Sequence, residues 1–475
     1  MRPGRKAHKP VIFTPHEECG VFGIYGHPEA SNLAYLGLHG LQHRGQEGAG
    51  ICTSDGKQLH VEKAIGLVSD NFTEKRLKRL PGYAAIGHNR YSTAGVSAMK
   101  NVQPIVVNFS LGSMAIAHNG NLINADQLRI LLEDEGAIFQ SSSDSEVIVH
   151  LTAHSRGESI HQRIISALNQ VRGAYSLLIL LEKELIAVRD PFGVRPLSIG
   201  EHDGAYVVAS ETCAFDLIGA KYIRDIDPGE MVIINEKGVQ SVRALNSTQK
   251  AQCIFEFIYF SRPDSNIFGG INVNKVRKDL GRQLAREAGI DADLVIPVPD
   301  SGMPAAIGYS EESGIPFDLG LIRNHYVGRT FIEPKQSIRH FGVKLKLNPV
   351  RDLLEGKRII AVDDSIVRGT TSKKIVKMLR EGGAKEVHMR ISSPRTIGPC
   401  FYGIDTPTRQ ELIASSHLTE EIRKYMTADS LAYLSIEGLQ SVVPDPDNYC
   451  YACFNNFYPI SFPDERLHQM ELFSA

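Results

Sequence analysis

The stretch Arg358-Ile359-Ile360-Ala361-Val362, followed at once by Asp363-Asp364-Ser365-Ile366-Val367-Arg368-Gly369-Thr370-Thr371, decides the fold of the second half of the chain. Arg358–Val362 has the apolar character of a buried strand, and Ser372–Arg380 has the spacing of an amphipathic helix. A further strand is predicted at Glu386–Ile391. Strand, polar loop and helix in this order indicate a parallel α/β sheet, in which ligands bind beyond the carboxyl ends of the strands.

The polar loop after the first of these strands has the chemistry of a sugar-phosphate site. Its adjacent carboxylates, Asp363 and Asp364, can accept hydrogen bonds from the two vicinal hydroxyls of a ribose. The serine, glycine and threonines that follow bend the backbone so that N–H groups and hydroxyls point at one phosphate, at the positive end of the next helix. These residues are Ser365, Gly369, Thr370 and Thr371. A capped strand-to-helix turn is the alternative, but it explains only one carboxylate and one threonine.

Length, composition and charge exclude several classes of protein. The chain has 475 residues, of which 42% are hydrophobic, and a net charge of −2. Two or three domains with buried cores are expected. The charges are dispersed, which argues against electrostatic binding to nucleic acid, and no run of eighteen apolar residues predicts a membrane span. Residues 1–18 lack the apolar segment of a secretory signal. We interpret them as a propeptide of a cytoplasmic protein, with a mitochondrial presequence as the alternative.

The seven cysteines are odd in number and widely scattered, which is a poor disulfide framework and favours catalytic or metal-binding roles in a reducing compartment. Cys19 is the candidate nucleophile. If residues 1–18 are cut away, the α-amine of Cys19 supplies the base that turns its thiol into a thiolate. The alternative is that Cys19 is a small buried residue at the start of the apolar strand Cys19–Tyr25.

The chain before the polar patch at 246–250, here called the first half, alternates β-rich runs with a few helices and indicates layered α/β structure. Besides Cys19–Tyr25, buried strands are predicted at Ala84–Gly87, Ser113–Ala117, Tyr175–Leu181, Leu185–Arg189 and Ala205–Ala209. Helices are predicted at Ala30–Gln42, Ser145–Ala153 and Ile160–Val171. The second half adds a strand at Asp293–Val298, and its tail beyond Tyr402 is predicted to be helical and loop-like.

Polar segments of the first half supply what an amino acid with a side-chain carbonyl needs for binding. Arg90 can pair with an α-carboxylate, and Asp144 with an α-ammonium. The side-chain amide of Asn119 and the backbone N–H of Gly120 can form an oxyanion hole. Arg44 is predicted to lie near the nucleophile. Each residue has a plainer explanation when taken singly, since Asn-Gly is a common turn pair and an arginine is often a surface cation. The hypothesis therefore depends on the combination.

The loop Asp363–Thr371 resembles the phosphoribosyl-pyrophosphate (PRPP) motif of type I phosphoribosyltransferases. The resemblance adds Arg368 to the PRPP-binding residues and implies that Tyr326–Val350 closes over PRPP and excludes water. It also identifies a pyrophosphate loop, formed by Asp300, Ser301 and Gly302. One Mg²⁺ per subunit is expected beside the substrate phosphates. Its expected protein ligands are Ser301, Asp363 and Asp364.

The polar segments of the first half together resemble the class II (N-terminal nucleophile) glutamine amidotransferases, which adds Thr93 to the glutamine-binding residues. Such a glutaminase joined to a type I phosphoribosyltransferase is the arrangement of the glutamine PRPP amidotransferase family. The resemblance implies an enzyme that makes 5-phosphoribosylamine, glutamate and pyrophosphate from glutamine, PRPP and water, the first step of de novo purine synthesis. A thioester on Cys19 releases ammonia, which passes between the domains.

The same resemblance implies the organisation of the chain. A propeptide at 1–18 precedes a four-layer αββα glutaminase domain at 19–245. A phosphoribosyltransferase domain with a parallel sheet and a C-terminal helical extension follows at 250–475. The family further implies a homodimer or a homotetramer that purine nucleotides inhibit.

Cys450-Tyr451-Ala452-Cys453 is a CxxC pair, which alone fits zinc, redox chemistry or one edge of a metal cluster. Within the family, an iron–sulfur subclass has a propeptide and cysteines in contexts that match Cys253, Cys400 and this pair. The resemblance therefore implies one [4Fe–4S] cluster per subunit, with a structural or oxygen-sensing role and with zinc as the alternative. Its ligands would be Cys253, Cys400, Cys450 and Cys453. Cys52 and Cys213 are predicted to be small buried residues.

Other classes of protein fit the sequence less well. Asparagine synthetase would need an ATP-binding pyrophosphatase-type loop, and glucosamine-phosphate synthase a sugar-isomerase half, whereas this chain has a PRPP loop. A PRPP-sensing regulator can use that loop without catalysis. It would have no reason to carry Cys19, Arg90, Asn119 and Asp144.

Overall fold

The computed structural model describes residues 19–91, 99–247, 249–324, 347–404 and 408–462. In chain order the strands are β1 Cys19–Tyr25, β2 Gly48–Ser54, β3 Leu59–Ile65, β4 Ala84–Arg90, β5 Ile105–Phe109, β6 Gly112–Leu122, β7 Gly173–Leu180, β8 Leu185–Arg189, β9 Ser198–His202, β10 Ala205–Ala209, β11 Lys221–Asp225, β12 Glu230–Asn235, β13 Gly238–Arg243, β14 Gln252–Cys253, β15 Asn266–Ile267, β16 Ile271–Asn272, β17 Leu294–Pro297, β18 Leu321–Arg323, β19 Leu347–Pro349, β20 Arg358–Asp363, β21 Glu386–Ile391, β22 Ser430–Tyr433 and β23 Tyr449–Cys450.

The helices lie between and after these strands. The α-helices are Ala30–Gly40, Val68–Asn71, Glu74–Leu77, Ala125–Asp134, Ser145–His154, Ile160–Leu168, Cys213–Ile218, Val273–Glu287, Met303–Ser313, Arg351–Leu354, Thr370–Glu381, Ile413–Ser416, Thr419–Met426, Ile436–Ser441 and Ala452–Asn455. A π-helix spans Glu256–Phe260, and 3₁₀ turns span Gln42–Arg44, Met99–Asn101, Arg409–Glu411 and Pro446–Asn448. No helix of the described residues is long and apolar enough to cross a membrane.

Two antiparallel sheets stack face to face in the first half. One has the strand order β11-β9-β10-β1-β4-β2-β3, and the other β13-β12-β8-β7-β6-β5. Side chains alternate along each strand, so that Val21 of β1 and Leu178 of β7 meet between the sheets. Phe22 points the other way, under the helices Ala30–Gly40 and Cys213–Ile218. The outer face of the second sheet is covered by three helices, Ala125–Asp134, Ser145–His154 and Ile160–Leu168. The predicted αββα layering is confirmed.

A parallel sheet with the order β17-β20-β21-β22 forms the core of the second half. Strand β20 is buried on both faces, since Ile360 packs with the helices Val273–Glu287 and Met303–Ser313, and Ile359 packs with the helix Thr370–Glu381. The predicted parallel sheet is confirmed. The domain bounds 19–245 and 250–475 stay a prediction.

Several predicted elements have different ends in the structure. The strand predicted at Ser113–Ala117 continues to Leu122, so Asn119-Gly120 lies within a strand and not in a turn. The strand predicted at Ala84–Gly87 continues to Arg90. Both extensions pair with a neighbouring strand and begin with two or three polar or small residues, which ended the apolar runs used for the prediction. In the tail, β22 is a strand of the parallel sheet that the sequence did not indicate.

Two predicted helices end early. The helix from Ala30 stops at Gly40 and is followed by the 3₁₀ turn Gln42–Arg44, and the helix from Ile160 stops at Leu168. Cys52 and Cys213 are buried, as predicted.

Candidate active sites and cysteine cluster

Cys19 is the first residue of β1 and lies opposite Arg90 of β4 in the ladder. Alternation along β1 places Cys19 on the same face as Val21, towards the second sheet. The Cys19 side chain is buried. Its backbone carbonyl accepts a hydrogen bond from Nε of Arg44 at 2.9 Å. Arg44 therefore lies beside the candidate nucleophile, as its place in the sequence predicts.

Asn119 and Gly120 lie in β6 of the facing sheet. Ala115 and Ala117 point between the sheets, and Asn119 continues that face. Asn119 is fully buried, and neither its Oδ1 nor its Nδ2 has a hydrogen-bond partner among the described residues. A buried amide without partners costs about 1–3 kcal/mol, so a group of this kind suits a site that a substrate oxygen fills.

Gly120 has a backbone conformation that requires glycine. Its φ is +151°, and a Cβ at this position would collide with the carbonyl oxygen of Ala174. The fixed backbone suits the predicted role of its N–H as a preorganised donor.

His88 connects β4, the neighbour of the strand that carries Cys19, to the strand that carries the oxyanion residues. Its Nε2 donates to the carbonyl oxygen of His118 at 3.0 Å, which links β4 to β6 across the two sheets. Burial lowers the pKa of His88 to about 3, so the ring is neutral near pH 7. Sequence reasoning missed this residue, although it stands two positions before Arg90.

Asp144 is held against the oxyanion strand. Its Oδ2 accepts from the N–H of Leu122 at 2.9 Å, and its Oδ1 lies 3.6 Å from Nδ1 of His118. Burial opposes ionisation, but His118 and these hydrogen bonds outweigh it and hold the pKa of Asp144 below its ordinary value. An ionised carboxylate fits the predicted contact with an α-ammonium. Arg90 is also buried, and Thr93 lies outside the described residues.

The two loops of the predicted PRPP site meet at one edge of the parallel sheet. Val298 N donates to the carbonyl oxygen of Val362 at 2.8 Å, so the ends of β17 and β20 lie side by side. Ser301 Oγ donates to Oδ1 of Asp364 at 2.6 Å, and Ser365 Oγ to its Oδ2 at 2.5 Å. Gly302 is packed against the backbone of Val362.

The helix Thr370–Glu381 begins directly after this loop, at Gly369 with a φ of +70°. Thr370 and Thr371 thus form its first turn, where backbone N–H groups attract a phosphate. Burial and the adjacent Asp364 carboxylate raise the pKa of Asp363 well above its ordinary value. Two carboxylates in this position suit a cation or hydroxyl donors, so the residues fit Mg²⁺ beside a ribose phosphate.

Two other predicted PRPP residues lie in ion pairs near the surface. Arg368 pairs with Glu411 at 3.0 Å, and Asp300 pairs with Arg323. The predicted closing loop Tyr326–Val350 is described only from Leu347 onwards.

The four cysteines of the predicted cluster line one small cavity, to which the first half of the chain also contributes a residue. Cys253 of β14 stands opposite Cys450 of β23 in a parallel pair, and the carbonyl oxygen of Cys453 accepts from the N–H groups of Ile397 and Gly398. The cavity is lined by Val194, Cys253, Phe255, Cys400, Tyr402, Ile404, Cys450, Ala452, Cys453 and Tyr458. An enclosed apolar wall around four thiols fits a metal centre.

The spacing of these cysteine sulfurs can be compared with that expected around one zinc ion. A Zn–S distance of about 2.3 Å would place tetrahedral sulfur ligands about 3.8 Å apart. A compact ligand group consists of at least three ligand atoms, from histidine, cysteine or carboxylate side chains, that all lie within 4.8 Å of one another. Among the described residues, His27, His202 and Asp203 form the only such group. No three of the four cysteine sulfurs therefore all lie within 4.8 Å of one another.

Thiolates in this cavity need a compensating positive charge. Burial and the neighbouring thiols raise the pKa of Cys450 to about 12 and that of Cys453 further, so these thiols ionise only with a compensating positive charge. The buried guanidinium of Arg195 stands beside Cys253 and Cys400 and supplies one such charge.

The first half has the arrangement of a glutaminase site, with a cysteine at the start of its first strand, and the second half has a PRPP loop on a parallel sheet. Together they define a glutamine amidotransferase joined to a phosphoribosyltransferase. The family profile described as "Glutamine amidotransferase domain" matches residues 88–216. The chain is 55% identical over 450 residues to an amidophosphoribosyltransferase of Bacillus subtilis (strain 168), covering 94% of each. It belongs to the amidophosphoribosyltransferase family.

Solved structures agree with this assignment. The structure described as the allosteric regulatory enzyme of purine biosynthesis superposes with a TM-score of 0.91 at 53% identity, covering 94% of this chain and 97% of that one. Glutamine PRPP amidotransferase from B. subtilis complexed with ADP and GMP superposes with a TM-score of 0.89 at 53% identity, covering 94% and 98%. The combined glutaminase and phosphoribosyltransferase fold is thus common to this chain and both structures.

Proposed function

We propose that the chain converts glutamine, PRPP and water into 5-phosphoribosylamine, glutamate and pyrophosphate, the first step of de novo purine synthesis. One observation carries the proposal: this chain has both sites that the reaction needs. The Cys19 site lies between the stacked sheets, and the Asp363–Thr371 loop lies at the edge of the parallel sheet.

In the glutaminase half, Arg90 binds the α-carboxylate and Asp144 the α-ammonium of glutamine. Sγ of Cys19 attacks the side-chain carbonyl carbon, and the oxygen takes up the negative charge opposite Asn119 Nδ2 and the Gly120 N–H. The carbon–nitrogen bond breaks, ammonia leaves, and water hydrolyses the thioester to glutamate. The base is the α-amine of Cys19, which is exposed once residues 1–18 are removed.

In the phosphoribosyltransferase half, Asp363 and Asp364 hold the ribose hydroxyls, and the first turn of the helix from Thr370 holds the 5-phosphate. Ammonia forms a bond to C1 of the ribose as the bond from C1 to pyrophosphate breaks. Ser301, Asp363 and Asp364 would hold Mg²⁺, which would supply charge neutralisation for the leaving pyrophosphate.

A [4Fe–4S] cluster on Cys253, Cys400, Cys450 and Cys453 completes the proposal, with a structural or oxygen-sensing role. The wide spacing of the sulfurs supports it over zinc. The protein is proposed to act in the cytoplasm as a homodimer or homotetramer under inhibition by purine nucleotides. Support for the inhibition comes from the B. subtilis relative, which was solved with ADP and GMP.

The test is to measure glutamate and pyrophosphate together in a reaction with glutamine, PRPP and Mg²⁺. Equal amounts of both products are expected, with little glutamate when PRPP is left out. Glutamate release that is independent of PRPP, or pyrophosphate release without glutamate, would contradict the proposal.

A further inference from the structure

The strand that carries the oxyanion residues is in direct contact with the segment Cys400–Gly403 of the second half. Asn121 Nδ2 donates to the carbonyl oxygen of Phe401 at 2.8 Å. Gly403, with a φ of +94°, lies against Gly120: a Cβ at position 403 would stand 2.9 to 3.2 Å from three backbone atoms of Gly120. The backbone of the predicted oxyanion donor is thus packed on a segment that is about 280 residues away in the sequence.

A chain of buried ion pairs runs from this same segment to the nucleophile. Arg195 donates to the carbonyl oxygen of Gly403 and to Oε1 of Glu256, the latter at 2.9 Å. Glu256 accepts from both terminal nitrogens of Arg44, at 2.9 and 2.7 Å. Nε of Arg44 donates to the carbonyl oxygen of Cys19. The side chains of all three charged residues are at most 2% exposed.

We propose that these contacts, which we call the interdomain clamp (Arg44, Asn121, Arg195, Glu256 and Gly403), set the distance between the Cys19 sulfur and the oxyanion hole. Cys19 and Gly120 lie on different sheets, so the packing within one sheet does not fix their separation. The clamp contacts both strands. Glu256 binds Arg44, which binds the Cys19 carbonyl, and the Phe401–Gly403 backbone contacts Asn121 and Gly120. These are positioning residues, and the inference depends on the glutaminase function proposed above.

The size of the expected effect follows from the geometry of an oxyanion hole. Its donors act at about 2.7 to 3.1 Å from the oxyanion, and complete loss of one donor lowers kcat by about 10²–10³. A Cβ at position 403 meets backbone atoms, which cannot swing aside as a flexible side chain can. Gly120 must therefore shift by a few tenths of an ångström. A displaced donor retains part of its effect, so we expect a fall in kcat of about 10- to 100-fold.

The test compares two clamp variants with two matched controls. Asn121→Ala removes the bond to Phe401, and its control is Asn124→Ala: both residues are 8% exposed, and Asn124 Nδ2 donates to the carbonyl oxygen of Gln170 at 2.9 Å within the first half. Gly403→Ala has the control Gly136→Ala, because Gly136 has a φ of +95° and a Cβ added there would have no heavy atom within 4 Å.

Each variant is assayed as holoenzyme whose chain begins at Cys19, for kcat and KM with glutamine, for PRPP amination with ammonia, and for alkylation of Cys19 by iodoacetamide. The clamp variants should lose kcat with glutamine by about 10- to 100-fold, with little change in the glutamine KM. Ammonia-dependent amination and alkylation should match the controls, because neither uses the oxyanion hole.

Equal loss with both nitrogen sources, or equal loss of kcat in the controls, would overturn the clamp. A raised glutamine KM with an unchanged kcat would overturn it as well, since that pattern indicates substrate binding. If Gly403→Ala yields no folded protein, Asn121→Ala decides, because it removes atoms and adds none. Wild-type protein that releases no glutamate would contradict the proposed function instead, so the two failures are distinguishable.

Discussion

Glu256→Gln should destabilise the protein strongly, although it changes one atom. The Glu256 carboxylate is fully buried and accepts hydrogen bonds from Arg44, Arg195 and Ser261. Burial opposes its ionisation, but the two arginines outweigh burial and hold the pKa of Glu256 below its ordinary value. Removing its charge leaves two buried guanidinium groups with Glu211 as the remaining partner of Arg44. Breaking a buried pair in this way costs about 3–5 kcal/mol.

The matched control is Glu62→Gln. Glu62 also stands between two arginines, Arg76 at 2.8 Å and Arg79 at 3.4 Å, but its side chain is 16% exposed and Arg79 is 58% exposed. Pairs of this kind contribute about 0–1 kcal/mol. With a urea m-value of about 3 kcal/mol/M, Glu256→Gln should lower the unfolding midpoint by about 1 M or more, and Glu62→Gln by a third of that or less.

The pH dependence of stability gives a second test of the same prediction. A carboxyl whose folded pKa lies below its unfolded value of about 4.3 contributes its stabilisation above that pH and loses it as the pH falls through the folded pKa. The difference in unfolding free energy between wild type and Glu256→Gln should therefore have its full value at pH 7 and decrease below about pH 4.3. Urea titrations monitored by circular dichroism at several pH values test this. A midpoint shift at pH 7 no larger than that of Glu62→Gln would refute the reasoning.

The remaining predictions concern the two active sites and the cysteine cluster. Intact-mass measurement of active enzyme should show a chain that begins at Cys19. Cys19→Ala should abolish glutamine-dependent amination and retain ammonia-dependent amination, since the acceptor site is separate; equal loss of both would contradict that division. Iron and sulfide assays should each give about four per chain, and stoichiometric zinc would contradict the cluster. Asp364→Asn should lose about 2–4 kcal/mol of transition-state stabilisation with either nitrogen donor, and wild-type kinetics would refute the PRPP assignment.

The parts of the fold that a local pattern specifies were predictable. The bounds of β1, β8, β10 and β21 agree with the sequence prediction, because β1, β8 and β10 are mainly apolar runs and β21 alternates polar and apolar residues. The end of β6 was missed for the opposite reason. His118, Asn119 and Asn121 are polar but buried, and pairing with β7 and contacts from other elements keep this segment in a strand, which no local pattern shows.

Site residues divide in the same way. The residues that a motif marks, such as Cys19, Asp363 and Asp364, were found from their neighbours in the sequence. Residues that support them were not found: His88 acts across two sheets, and Glu256 acts across 212 positions to reach Arg44. Neither shows its role in its own segment, because a buried histidine or glutamate has no local signature until its partner is known.

The π-helix that carries Glu256 links the two halves through buried hydrogen bonds. This helix, Glu256–Phe260, is bound at both ends by Arg277, whose Nε and terminal nitrogen donate to the carbonyl oxygens of Phe257 and Ser261 at 2.6 and 2.8 Å. Asp364 of the PRPP loop raises the pKa of the same buried Arg277, although burial has the larger effect and lowers it to about 10. One short helix is therefore held by Arg277 of the second half and, through Glu256 and Arg44, is linked to the backbone carbonyl of Cys19 in the first half.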